Sequence, residues 1–112
     1  MDDLPLDPTP PTPRKRLEAQ WLDLTRTRMP AAACARGWPV HQDHCFQRIL
    51  LDNACGGVWY DTIVRRPAYA FAPDAVLKRA VDTGEAVLAG LVDLAALNRD
   101  SLRFRGRDGP RA

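Results

Sequence analysis

Residues 73–89 read PDAVLKRAVDTGEAVLA, and this stretch carries the clearest structural signal in the chain. Small and apolar side chains recur there every three or four residues, as on one face of a helix: Val76, Leu77, Ala80, Val81, Gly84, Val87 and Leu88. Pro73 suits the start of a helix and Gly90 suits its end. The pattern predicts an amphipathic helix, with Gly84 placed where another helix approaches closely.

Helix-start and helix-stop residues predict further helices on both sides of this one. Thr12 followed by Pro13, and later Asp43 and Asp93, have the side chains that commonly begin helices. The helices expected from these signals cover about residues 13–28, 43–54 and 94–104, with a kink at Met29 and Pro30 and a second short helix or a continuation ending at Gly37.

Residues 58–64, VWYDTIV, fit either a strand or a short helix. A single strand needs a partner, and no convincing second strand is found elsewhere, so a short helix is expected here, followed by a loop over residues 65–72. The predicted fold class is therefore all-α, a small bundle of four to five helices. Residues 13–106 form its single domain, after a disordered, acidic, Pro-rich arm (residues 1–12) and before a frayed basic tail (residues 107–112).

Composition narrows the class of protein further. The chain has 112 residues, 46% of them hydrophobic and 27% charged, which suits one small globular domain and excludes a collagen-like chain. No apolar run approaches the length of a membrane span, and residues 1–13 lack the basic character of a targeting peptide. We therefore expect a soluble, cytoplasmic protein. Its three cysteines lack C-x-x-C spacing and are expected to be free thiols.

Polar and aromatic side chains are concentrated in the middle of the chain. The candidate polar seam consists of His41, His44, Cys45, Arg48 and Asp52, and the candidate aromatic lining of Trp38, Trp59 and Tyr60. Rings beside a few polar groups are typical of small-molecule sites. The same residues could instead pack the core, with Arg48 and Asp52 spaced for an ion pair along one helix.

The seam contains residues suited to two kinds of chemistry. His41, His44 and Cys45 have spacings that could place three zinc-type ligands together, but no clear fourth ligand follows, so no metal site is predicted. Cys45 would lie in the first turn of a helix, where a thiol pKa falls, and could act as a nucleophile; a buried thiol is the alternative. No catalytic residue and no cofactor is assigned, because the standard phosphate-binding, hydrolase and zinc motifs do not occur.

Several stretches resemble a group of short bacterial proteins that are commonly labelled as relatives of the GCN5-type N-acetyltransferases. They are RGWPV (36–40), DHCF (43–46), RILLDN (48–53) and WYD (59–61), and segments 77–90 and 94–106 extend the similarity over residues 17–106. The resemblance implies a mixed α/β acyltransferase that binds acetyl-CoA through an R/Q-x-x-G-x-G/A turn opening a helix. The nearest match, RFRGRD at 103–108, has Asp in the last position and ends the predicted helix, so no acetyltransferase residue is carried over.

Three hypotheses about function follow. The first is a small helical binding or accessory protein that uses the polar seam to hold a small ligand or a protein partner. The second, resting on the resemblance alone, is an acyltransferase-related enzyme. The third is a nucleic-acid accessory protein that contacts phosphates through the basic end of the chain: Arg99, Arg103, Arg105 and Arg107.

Overall fold

The structure is a computed structural model and describes residues 12–106. Six α-helices occur in this part of the chain: α1 Pro13–Asp23, α2 Met29–Arg36, α3 Asp43–Cys55, α4 Ala68–Phe71, α5 Asp74–Leu88 and α6 Leu94–Phe104. Residues 12–106 include no β-strand, which confirms the predicted all-α class. The predicted disordered arm and frayed tail lie outside the described residues, except for Thr12.

The start of α1 follows from its first two residues. The Thr12 hydroxyl oxygen accepts a hydrogen bond from the Lys15 backbone N–H at 3.1 Å, and Pro13 is the first helical residue. A side-chain cap and a proline at this position satisfy or remove backbone donors that the helix itself leaves unpaired. The predicted N-terminus of this helix is confirmed.

The chain does not break at Pro30. Instead α1 runs into α2 through one π-helical turn, Leu24–Arg28, in which the Met29 N–H reaches the Leu24 carbonyl five residues back. Pro30 has no N–H to donate, and the wider turn before it keeps the neighbouring groups bonded without a break. Of the two outcomes predicted after Met29, the continuation is the one formed, and it ends at Gly37 with φ 62°.

Helix α3 is the central element of the bundle. It buries Phe46, Ile49, Leu50 and Ala54 and packs against both α5 and α6. Its N-cap is Gln42 rather than the predicted Asp43, which lies in the first turn and accepts a hydrogen bond from the His44 N–H at 2.7 Å. A first-turn carboxylate still faces the positive end of the helix dipole, so the one-residue correction leaves its stabilising role intact.

The connection from α3 to α5 contains two short helical turns. A 3₁₀-helix, Trp59–Asp61, confirms the helical prediction for the centre of residues 58–64, and the Ile63 N–H bonds to the Trp59 carbonyl at 2.8 Å. The segment predicted as a loop, 65–72, contains the one-turn helix α4. Both turns pair their backbone groups locally, which is the requirement for any chain that packs against a core without a strand partner.

The stripe that predicted α5 is the face that it buries. Leu77, Ala80, Val81 and Val87 are buried there together with Gly84. A Cβ atom on Gly84 would lie 2.5 Å from Leu24 Cδ2, which confirms the predicted close approach of another helix. Helix α6 begins as predicted at Asp93, whose carboxylate accepts from the Ala95 N–H at 3.1 Å. Within residues 12–106, no helix has both the length and the apolar character needed to cross a bilayer.

Candidate functional site

Asp52 lies at the centre of a buried hydrogen-bond network. Its carboxylate has no exposed surface and accepts two bonds from the Arg105 guanidinium, at 2.7 and 3.0 Å. The Ser101 hydroxyl donates to the same carboxylate at 2.7 Å, and the Trp59 backbone N–H donates at 2.9 Å. Four donors compensate for the water that this charge loses on burial, so Asp52 is positioned as a structural group and has no direct route to a ligand.

Arg48 belongs to the same network but does not contact Asp52 directly. Its guanidinium donates to the Ser101 hydroxyl oxygen at 2.7 Å and to the Asn98 side-chain oxygen at 2.9 Å. The predicted ion pair between Arg48 and Asp52 is therefore replaced by a chain in which Ser101 accepts from one residue and donates to the other. The spacing along α3 was suitable, but α6 supplies a hydroxyl that fits between the two charges.

Arg105 forms the cationic part of this network. The sequence groups it with the basic end of the chain, and in the structure only 17% of its side chain is exposed. Its guanidinium lies 5.4 Å from the centre of the Tyr60 ring, and the hydrogen bond to Asp52 raises its pKa above the ordinary value for arginine. Arg105 thus anchors the end of α6 to α3, with Tyr60 beside it.

Three residues of the predicted site surround one cavity of about 250 Å³, which we call the α3–Trp59 pocket. They are His44, Arg48 and Trp59; the remaining lining residues are Gln47, Leu51, Arg66, Pro67 and Ala68. The pocket lies where α3 faces the connection that begins at Trp59 and ends in α4. The aromatic lining and the polar seam therefore meet here in part.

The charge of the α3–Trp59 pocket is positive. Arg48 and Arg66 line it, and none of the described residues lining it is Asp or Glu. The Arg66 guanidinium lies 5.2 Å from the centre of the Trp59 ring, in a cation–π contact. At the rim His44 is largely exposed, with its Nδ1 atom 3.7 Å from the Asp43 carboxylate. An arrangement of this kind can hold an anion beside an apolar wall.

The other predicted site residues lie elsewhere. His41 and Trp38 line a separate cavity of about 390 Å³ together with Cys34, and Trp38 packs edge-on against Phe46 at 5.7 Å. Cys45 is half-buried in the first turn of α3 and lines neither cavity. His41, His44 and Cys45 therefore do not converge on one cavity. Across residues 12–106, no three His, Cys, Asp or Glu side chains come close enough together to hold a metal ion.

The sequence did not indicate that Gln47 and Arg66 line the pocket. It also did not indicate that Ser101 and Asn98 hold Arg48, or that Arg105 pairs with Asp52. A signal for Arg66 was present, since residues 62–73 contain two arginines and no acidic residue. No local pattern could have found the contribution of α6, because Ser101 lies 53 positions from Arg48 in the chain. That contact depends on how α3 and α6 pack.

A larger groove of about 500 Å³ between α1 and α5 has a different electrostatic character. Two of the cations that line it form ion pairs: Arg14 contacts Glu18 at 2.9 Å and Asp74 at 2.6 Å, and Lys78 contacts Asp82 at 2.7 Å. These ion pairs leave little positive charge for a ligand. We therefore take the smaller α3–Trp59 pocket as the candidate site.

Comparison with protein-family models, curated proteins and solved structures finds no match for this chain. The mixed α/β domain implied by the acetyltransferase resemblance is not formed by residues 12–106, which contain no strand. The nearest match to a coenzyme-binding turn begins at Arg103, in the last turn of α6. Helix carbonyls point outward at that end, which disfavours a phosphate.

Proposed function

We propose that this chain is a small helical binding protein that takes up a small anionic ligand in the α3–Trp59 pocket. The observation that carries the proposal is the presence of Arg48 and Arg66 in one cavity whose described lining has no acidic residue. Guanidinium groups bind carboxylates and phosphates through charge-assisted, directional hydrogen bonds.

Arg48 supports this function because its position is set before any ligand arrives. The bonds to Ser101 and Asn98 hold its guanidinium against α6, and Asp52 and Arg105 secure Ser101 in turn. A charged group that is already held in place loses little freedom when it binds, so less of the interaction energy is lost to ordering.

The apolar part of the pocket limits the size of the ligand. Leu51, Trp59, Pro67 and Ala68 supply this wall, and the cavity volume of about 250 Å³ is below the range that holds drug-sized molecules. A ligand with one anionic group and a small apolar body can contact both the arginines and the apolar wall of the pocket.

The test is a calorimetric or Trp-fluorescence titration with phenyl phosphate and with benzoate at low ionic strength. We expect saturable binding of at least one of these anions, weakened about fivefold or more by Arg66→Gln, because one cationic donor is lost. Arg26→Gln is the matched control, since Arg26 is exposed in the π-helical turn and does not line the pocket. Absence of binding by both anions at millimolar concentration, or equal weakening by the control, would contradict the proposal.

The other two hypotheses draw less support from the described contacts. Arg105 is committed to Asp52 and Arg103 to Asp100, so two of the four arginines proposed for nucleic-acid contact are already paired. A salt-dependent binding assay with Arg99→Gln tests that role without removing the Arg105 anchor, which deletion of residues 103–112 would do. For the acyltransferase hypothesis, calorimetry with acetyl-CoA at millimolar concentration is the direct test.

A further inference from the structure

We infer that the ligand of the α3–Trp59 pocket is a doubly charged phosphate monoester carried on a small flat or apolar group. This inference rests on the proposed function and adds the chemical class of the ligand. It depends on a count of fixed charges, on the hydrogen-bond donors that remain, and on the apolar lining.

The fixed charges at the pocket leave an excess of two positive charges. Beneath it, Arg105 pairs with the Asp52 carboxylate, whereas Arg48 bonds to the neutral oxygens of Ser101 and Asn98. Arg66 contacts the Trp59 ring, so the two arginines that line the cavity have no carboxylate partner among the described residues. Asp43 does not line the cavity, and its half-exposed carboxylate lies 3.7 Å from His44 Nδ1 at the rim. A ligand with two negative charges neutralises this excess, whereas a carboxylate neutralises half of it.

The hydrogen-bond donors of Arg48 also favour a phosphate monoester over a carboxylate. A guanidinium has five N–H donors, and Arg48 uses Nη1 and Nη2 for one bond each, to neutral oxygens of Ser101 and Asn98. Its remaining donors and those of the exposed Arg66 belong to two residues that line the same cavity, one on α3 and one just before α4. A phosphate monoester presents three terminal oxygens to such donors, and a carboxylate presents two.

The organic part of the ligand is set by the wall around Trp59. Leu51, Pro67 and Ala68 provide apolar surface next to the indole, and the volume of about 250 Å³ leaves room for one small ring. Two sources carry this chemistry: a free aromatic phosphate, and a phosphorylated tyrosine side chain of another protein. The head group and ring are the same in both.

The decisive experiment compares phenyl phosphate with its methyl diester, which keeps the ring and the phosphorus but has one negative charge fewer. At a pH of about 8 and low salt, we expect the monoester to bind about tenfold tighter or more, because only the monoester neutralises both excess charges. Arg66→Gln should bring the two affinities to within about threefold, while Arg26→Gln should preserve the difference.

The outcomes separate this inference from the proposed function. If the diester or benzoate binds as tightly as the monoester, the dianion preference is wrong although an anion site remains. If no anion binds, both are wrong. A third measurement uses a short phosphotyrosine peptide. If the peptide binds much more tightly than phenyl phosphate, the natural ligand is a phosphorylated tyrosine of a protein partner. If the two bind equally, the natural ligand is a free aromatic phosphate. Either of these results supports the dianionic monoester.

Discussion

Arg105 and Asp52 are joined by two hydrogen bonds of 2.7 and 3.0 Å, although they stand 53 positions apart in the chain. The contact ties the residue that follows α6 to the last turn of α3. It also holds Ser101 in position to accept from Arg48, so the candidate pocket depends on a pair of residues that does not line it.

Arg105→Ala should destabilise the fold by about 3 kcal/mol, because it leaves the fully buried Asp52 charge without its cationic partner. Urea unfolding followed by circular dichroism measures the change. The matched control is Arg103→Ala, which removes an exposed pair with Asp100 and should cost at most about 0.5 kcal/mol. If the two variants have equal stability, Asp52 does not depend on Arg105.

Gly84→Ala should destabilise the protein by about 1 kcal/mol, even though alanine is the better helix former. The added Cβ atom would lie 2.5 Å from Leu24 Cδ2 and 3.0 Å from Leu50 Cδ1, and both leucines are fully buried. Thermal unfolding provides the measurement. Gly57→Ala is the control, since no atom lies within 4 Å of its added Cβ, and an equal loss in both variants would show that packing is not the cause.

The Arg28–Glu85 ion pair should make stability depend on acid pH. Arg28 donates to Glu85 at 2.6 and 2.8 Å, and these bonds lower the pKa of the Glu85 carboxyl below its ordinary value of 4.5. A lowered pKa in the folded state stabilises the protein above the unfolded pKa, and this contribution is lost as the pH falls through the folded pKa.

We therefore expect wild-type protein to lose about 0.5 kcal/mol more than Glu85→Gln between neutral pH and about pH 3, a modest difference because both partners are about one-third exposed. Denaturant midpoints at several pH values give the two slopes. If stability falls equally with pH in wild type and Glu85→Gln, Glu85 does not contribute to the acid sensitivity of the fold.

The three thiols should react at different rates with a disulfide reagent. Cys34 is exposed, whereas Cys45 and Cys55 are half-buried, and burial raises the pKa of the Cys55 thiol. One thiol should be modified quickly in the folded protein and the other two slowly, and Cys34→Ser should abolish the fast phase. A fast phase that persists in this variant would place the accessible thiol elsewhere.

The sequence predicts the longer helices and several of their ends, but not α4 or the exact N-cap of α3. Thr12 and Asp93 mark two helix starts, Gly37 marks an end, and the apolar stripe around Gly84 indicates both the buried face and the close approach of another helix. These features could be predicted because they depend on neighbours within one or two turns, where backbone geometry and local side-chain bonds decide the outcome.

The candidate site could be predicted only in part. His44, Arg48 and Trp59 were selected as polar and aromatic neighbours in sequence and do share a cavity, whereas His41 and Cys45 do not reach it. Arg66 is missing from the prediction because the turn that places it beside Trp59 lies in a segment that was expected to be an irregular loop.

The amino-acid pattern alone determined an all-helical chain, the ends of its principal helices and the residues around Gly84 that the core would bury. The packing of α6 against α3 decided which charged side chains are buried and which groups bond to them. The sequence places Asp52 in the candidate polar seam, but Ser101 of α6 and Arg105, the residue after α6, enclose it. Arg48, from the same helix as Asp52, lines a cavity. The physical reason is that the energy of a charge depends on the burial and partners it acquires from distant segments, and local periodicity does not specify these.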